Sequence, residues 1–286
     1  MGMNLFVSED TGYALLDCGD ERKLERFGPW ILDRPSPQAI WPKRTPQRWS
    51  EAHAFFERQE SGNGEWRVHQ PKCHTPWRAQ FFGLQFEIRL TGFGNVGLFP
   101  EHRAHWDWLR DNIRTRAQTA DAPHILNLFA YTGGASLVCA LAGARVTHVD
   151  AAKAVNAWAI ANAKHNHSPA ERLRFLAEDA PKFINREIRR GRRYDGIILD
   201  PPSFGRGTAG EVWKIERDFY PLLCLCQELL SEHPLFLLIT AHSPGITPMS
   251  LQSLMPMTDG TWQRGEMLLQ SPHAALPAGV YLRWTP

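Results

Sequence analysis

Apolar and polar positions along this chain follow two regimes. Up to about Gly94 the apolar residues recur in short alternating runs broken by Gly and Pro, as in residues 77–90, which predicts strands and turns rather than helices. Beyond it a helical segment over 101–116 is followed by apolar runs of strand length alternating with stretches of helical period. The strands are expected at 124–130, 145–150, 173–178, 194–200 and 235–241, and the helices at 135–142, 151–166, 181–190 and 215–230. Such alternation implies a parallel sheet covered by helices. Two last strands, at 266–270 and 279–284, would close the sheet as an antiparallel hairpin. The chain therefore divides into a small β-rich domain over 1–95, suited to substrate recognition, and an α/β domain over 96–286.

Composition narrows this picture only a little. A chain of 286 residues buries roughly 75% of the surface its unfolded form exposes and needs no disulfide or metal to build a core. The net charge of +2 shows no global basic excess, so nucleic-acid affinity has to come from local patches. Cys18, Cys73, Cys139, Cys224 and Cys226 lack the C-x-x-C spacing of zinc or dithiol sites, and no apolar run reaches membrane-spanning length. A soluble, cytoplasmic protein is expected.

Candidate chemistry gathers at strand ends. The first strand of the α/β domain runs into Phe129-Ala-Tyr-Thr-Gly-Gly134, where Gly133 and Gly134 can take positive φ and let backbone approach a ligand. Asp150 follows near the ~20-residue offset at which a strand-end carboxylate meets ribose hydroxyls. The next strand ends in Asp179 and Ala180. Asp179 either accepts from an adenine amino group or caps the helix that starts at Pro181, and the two roles are compatible. Asp200 ends a further strand. No G-x-G-x-x-G fingerprint precedes the helix, so a dinucleotide and hydride transfer are disfavoured. Convergent strand ends that need no pyrophosphate cradle point to S-adenosylmethionine.

With Asp200-Pro-Pro-Ser-Phe204 added, the chain resembles class I S-adenosylmethionine-dependent methyltransferases. It is similar to the bacterial large-subunit rRNA methyltransferases that carry F-x-Y-T-G-G and D-P-P-x-F motifs. The likeness runs from about Gly97 to the C-terminus. It implies a Rossmann-like, seven-stranded methyltransferase sheet with a smaller N-terminal β-rich domain, S-adenosylmethionine as cofactor, and RNA, specifically rRNA, as partner. In that group an acidic-Gln-Arg segment closes over the cofactor. Glu101-His-Arg103 falls at that place with histidine in place of glutamine, which implies that Phe99 and Arg103 border the ligand. The remaining cofactor contacts are expected from Phe129, Ala130, Thr132, Gly133, Asp150, Ala151, Asp179, Ala180 and Asp200.

For the chemistry, Asp200, Pro201, Pro202 and Phe204 are the expected catalytic corner. The prolines stiffen the turn and remove donors, leaving acceptors for an amine, while Phe204 can stack on a base. Ser203, Arg206, Trp213 and His242 are expected near the substrate. Related cytosine-C5 enzymes carry a Ser-Cys-Ser motif after the fifth strand. Here the segment is Thr240-Ala-His-Ser-Pro-Gly245, with His242 at the cysteine position, so a ring nitrogen or exocyclic amine is the expected acceptor. Methyl transfer needs positioning more than acid-base help, and no metal is called for. Competing readings are methylation of a protein or small molecule, and a nucleic-acid-binding module with a vestigial cofactor site.

Three further features have two readings each. Trp30, Trp41, Trp49, Trp66 and Trp77 among Lys43, Arg44, Arg48, Arg67, Lys72 and Arg78 could stack bases and hold phosphates, or fill a small core. Residues 205–214 suit a substrate lid or a plain surface loop. Lys182, Arg186, Arg189, Arg190, Arg192 and Arg193 suit phosphate contact or a solvated helix end.

Overall fold

The computed structural model describes residues 2–59, 63–73, 75–117, 121–207 and 210–286. The chain forms two compact units. One comprises residues 6–104 and 267–278, the other residues 1–5, 105–266 and 279–286.

After a short strand β1 (Leu5–Val7), the N-terminal unit is built from β2 (Tyr13–Gly19), β3 (Arg22–Phe27), β4 (Trp30–Pro35), β5 (Ala54–Arg58), β6 (Gly64–Val68), β7 (Trp77–Phe81) and β8 (Leu84–Ile88). β2 through β6 form one sheet in chain order, and β7 and β8 pair separately. Tyr13, Phe27, Phe56, Phe81 and Phe86 are fully buried. The tryptophans are pegs of this unit. The indole N–H groups of Trp41, Trp49, Trp66 and Trp77 donate to Cys18 O, Asp17 Oδ2, Thr91 O and Phe27 O at 2.8–3.1 Å. The four indoles are half-buried, and each of these N–H groups is spent inside the unit.

The second unit alternates strand and helix. After α1 (Arg103–Ala117) come β9 (His124–Leu128), α2 (Gly134–Leu141), β10 (Arg145–Asp150), α3 (Lys153–His165), β11 (Leu173–Ala177), α4 (Ala180–Arg189) and β12 (Gly196–Leu199). A hairpin of β13 (Phe204–Arg206) and β14 (Val212–Lys214) leads into α5 (Ile215–Leu229), β15 (Phe236–Ala241), α6 (Pro248–Ser253), β16 (Thr261–Gln270) and β17 (Ala275–Thr285). The large sheet has the order β1-β16-β17-β15-β12-β9-β10-β11. It has eight strands among the described residues rather than seven, the extra one being β1 at the β16 edge. β11, β10, β9, β12 and β15 run parallel and β17 antiparallel to β15.

Chain order reverses between β9 and β12, the switch point beyond which open α/β sheets bind ligands. Pleating sends Leu126 and Leu128 of β9 to one face, where they join Phe183, Ile184, Phe219 and Leu222 of α4 and α5 in the main core. Each such side chain contributes about 1.5–3 kcal/mol when fully buried. Ile125 and Asn127 point to the other face, where Asn127 meets Ser136 of α2. Gly196 begins β12 because a Cβ there would lie 2.8 Å from both Ile125 Cδ1 and the Phe236 ring. No helix among the described residues is long and apolar enough to cross a membrane.

Candidate active site at the strand ends

β9 stops at Leu128 because the backbone then turns left-handed three times in five residues, at Phe129 (φ 54°), Tyr131 (φ 49°) and Gly133 (φ 91°). For the two aromatic residues this conformation costs roughly 1–3 kcal/mol each. Hydrogen bonds hold it in place. Ala130 N–H donates to Val149 O and Gly133 N–H to Ala130 O, both at 3.1 Å. Tyr131 N–H donates to Asp150 Oδ2 at 3.0 Å, and Ala152 N–H to Asp150 Oδ1 at 2.9 Å. The Asp150 carboxylate thus braces the turn from the end of β10 with one N–H on each oxygen. Burial pushes its pKa up, against the lowering effect of these bonds. At Gly133 a side chain would combine the strained φ with a Cβ 3.3 Å from Ala159 Cβ.

Under the turn lies a buried polar row that sequence reading did not single out. Asn127 Nδ2 donates to Ser136 Oγ at 2.9 Å, and that oxygen is 3.0 Å from His148 Nδ1. His148 is fully buried, and burial lowers its pKa to about 3, so the ring is neutral. Asn162 Nδ2 donates to Thr132 O at 3.0 Å, and Asn156 Nδ2 to Asp150 O at 2.8 Å. The available signal was a polar residue inside an apolar run, Asn127 in β9 and His148 in β10.

The next strand end joins this frame through Glu178 N–H, which donates to Asp150 O at 3.2 Å. Asp179 is the N-cap of α4, with Oδ1 accepting from Lys182 N–H at 3.1 Å and Pro181 in the first turn. Burial pushes its carboxyl pKa up. Ala180 is buried and Ala151 half-buried.

At the double-proline corner, Thr240 Oγ1 donates to Asp200 Oδ1 at 2.7 Å, and His242 Nε2 lies 3.5 Å from the same oxygen. Ser203 Oγ is 2.7 Å from Ser243 Oγ. Trp213 is buried rather than presented to solvent. Its Nε1–H donates to Pro202 O at 2.7 Å and its ring centroid is 5.0 Å from that of Phe129, so it ties this corner to the glycine turn. Pro201 is buried, whereas Phe204 is 54% exposed and Ser203 and Arg206 are exposed. Of residues 205–214, the stretch 208–209 lies outside the described residues, and the rest is the β13–β14 hairpin. Glu211 on it pairs with the Lys182 ammonium, and a Cβ at Gly207 would come 3.1 Å from Asp179 Oδ2. Phe99 and Arg103 belong to the N-terminal unit, where Phe99 stacks on His102 with centroids 5.7 Å apart and Arg103 lies 4.4 Å over the Phe82 ring.

Comparison with known proteins bears on the family and the fold. Residues 51–255 match the profile of a family described as S-adenosylmethionine-dependent methyltransferase. A crystal structure titled as the SAM-dependent methyltransferase from Agrobacterium tumefaciens superposes with a TM-score of 0.94 at 38% identity, over 99% of this chain and 93% of that one. SMU.776 complexed with SAH superposes at 0.73 with 20% identity, over 96% and 76%, and shares the fold. Among curated proteins, the ribosomal RNA large subunit methyltransferase K/L of Shewanella sp. (strain MR-4) is 34% identical over 153 residues. That match covers 52% of this chain, and the chain spans about a fifth of the relative's length.

Proposed function

The chain belongs to the S-adenosylmethionine-dependent methyltransferase family, and from that premise we propose that it methylates a base nitrogen in ribosomal RNA. The cofactor, when bound, supplies a sulfonium methyl group open to in-line attack. The strand ends fit it. The left-handed turn carries the backbone of Phe129, Ala130 and Thr132 past the strand ends, and it needs glycine at 133 because a Cβ there would press on Ala159. Each Asp150 oxygen has a second lone pair for a ribose hydroxyl after accepting its N–H. Asp179 keeps Oδ2 for an adenine amino group while Oδ1 caps α4, and Ala151 and Ala180 flank these carboxylates. By the likeness of the Glu101-His-Arg103 segment, Phe99 and Arg103 are also assigned to the cofactor.

The acceptor base is assigned to the corner of Asp200, Pro201, Pro202 and Phe204. The Asp200 carboxylate, oriented by Thr240, accepts from the amine that is methylated, and the exposed Phe204 ring stacks on the base. Ser203, Arg206 and His242 flank it, with His242 beside Asp200 to take up the proton released on methylation. Trp213 acts from beneath, by holding the Pro202 carbonyl.

One observation carries the preference for nitrogen over cytosine C5. The strand-end position after β15 holds His242, and the thiols of this unit are inside helices, Cys139 in α2 and Cys224 and Cys226 in α5. Burial pushes the Cys139 and Cys226 thiols up and keeps them protonated, whereas C5 chemistry needs a thiolate at the substrate. Ribosomal RNA is supported by the large-subunit methyltransferase relatives. Mass analysis of rRNA nucleosides from cells with and without the protein tests both parts. An N-methylated base lost in the deletion is expected. Loss of 5-methylcytosine instead overturns the nitrogen assignment, and unchanged rRNA overturns the substrate.

A further inference from the structure

We infer that one face of α4 and the turn after it form a docking surface for the RNA phosphodiester backbone beside the target nucleotide, an inference that rests on the RNA reading above. Residues 182–193 carry six cations and one acid, in a chain whose whole net charge is +2. Helical spacing sorts them. Phe183, Ile184 and Glu187 are buried, while Lys182, Arg186 and Arg189 follow one another at intervals of three and four on the opposite side. With Glu178, Pro181 and Asn185 they line a cavity of about 480 Å³. Its lining runs from Glu178, next in sequence to Asp179, along α4 to Arg189.

The helix dipole does not account for this charge. Cations near a helix C-terminus are stabilised, which covers Arg186 and Arg189. Lys182 sits in the first turn, where the dipole opposes it, and Arg192 and Arg193 lie beyond the helix. Internal pairing does not account for it either. Arg186 is paired with Glu178, Lys182 with Glu211 and Arg190 with Glu187. Arg189, Arg192 and Arg193 are exposed and have no acidic partner among the described residues. Arg189 on the wall of the cavity, with Arg192 and Arg193 on the turn that follows, fits a chain of phosphates, which Arg recognises bidentately.

The test uses the full chain and a fluorescein-labelled transcript of large-subunit rRNA, with anisotropy followed as salt is varied. R189A/R192A/R193A is compared with wild type and with R114A/K153A/K164A, which removes the same charge from exposed sites on α1 and α3. The α4 variant is expected to bind at least about tenfold more weakly. Its slope of log affinity against log salt should be shallower by about 2, from roughly 0.7 per lost phosphate contact. Affinity for S-adenosylhomocysteine should stay within about twofold in all three proteins, as a check that the fold is intact. If the two variants lose RNA affinity equally, the α4 surface is overturned and the RNA reading stands. If wild type binds S-adenosylhomocysteine but not the transcript, both are overturned.

Discussion

Asp17 and Asp150 are both strand carboxylates with backbone N–H groups on them, one in each unit, and they show how structure and function divide this molecule. Asp17, in β2, is fully buried and accepts from Cys18, Arg44 and Thr45 N–H and from Trp49 Nε1–H. Burial alone would raise its pKa, but the bonds from Trp49, Thr45 and Cys18 together outweigh burial and bring it down. Asp150 accepts only two N–H groups among the described residues, and there burial prevails and the pKa rises. The first carboxylate is saturated by its own unit. The second holds a strained turn in place and keeps acceptor capacity in reserve. A half-buried acid with fewer donors than it can serve has acceptor capacity left for the ligand proposed above.

Substitutions at the two positions should therefore separate stability from binding. Asp17→Ala leaves four donors without their acceptor at about 1–3 kcal/mol each before water relieves some of the loss. A fall of about 3 kcal/mol or more in unfolding free energy, read from urea midpoints, is expected, and a smaller loss than in Asp150→Asn would break the contrast. Asp150→Ala should weaken S-adenosylhomocysteine about 100-fold in titration calorimetry, as expected for the loss of two charge-assisted bonds at roughly 1.5 kcal/mol each. Asp150→Asn should leave the melting temperature nearly unchanged, because an amide oxygen still accepts one N–H and no charge remains to be desolvated.

Gly133→Ala sharpens the comparison at smaller cost. Its φ of 91° and the 3.3 Å approach to Ala159 predict a loss of about 1–2 kcal/mol in thermal unfolding. Cofactor affinity should drop with it. If the variant binds S-adenosylhomocysteine as well as wild type does, the turn does not approach the ligand.

The alternation of strands and helices was legible because the parallel strands are buried on both faces and read as unbroken apolar runs, as in β12 and β15. The ends were read too long: 124–130 against His124–Leu128, because Phe129 and Ala130 stay apolar after the backbone has left the sheet, and 194–200 against Gly196–Leu199, where Tyr194, Asp195 and Asp200 flank the paired residues. Phe129 looks like a strand residue and is left-handed. Strand β1 was missed because three residues carry no period. At the site, Gly133, Asp150 and Asp200 were visible as residue types that only a turn or a strand end explains. The role of Trp213 was not. An aromatic in a glycine-rich loop reads as a surface contact, and only tertiary packing shows its indole N–H spent on Pro202 O. The tryptophans of the N-terminal unit are the same case, since a stacking platform and a core peg share one composition.

The smallest effect expected concerns pH, and it follows from two neutral histidines in the second unit. Burial lowers His148 to about 3, and burial together with Arg145 lowers His124 to about 4. An unfolded histidine titrates near 6.5. Between these values the unfolded chain binds a proton that the folded chain refuses, so stability is fully present above about pH 6.5 and is lost as pH falls toward the folded pKa. From pH 7.5 to 5.5 each histidine should remove about 1.4 kcal/mol. That window lies above the usual carboxylate range. His148→Gln keeps an acceptor or donor near Ser136 Oγ but cannot titrate. Urea midpoints of this variant should therefore decline with pH about 1.4 kcal/mol less than those of wild type over the same interval. Equal declines would mean that His148 is solvated or protonated in the folded chain. The polar row under the glycine turn would then be open to water rather than part of the packed frame that Asn127 and Ser136 share with it.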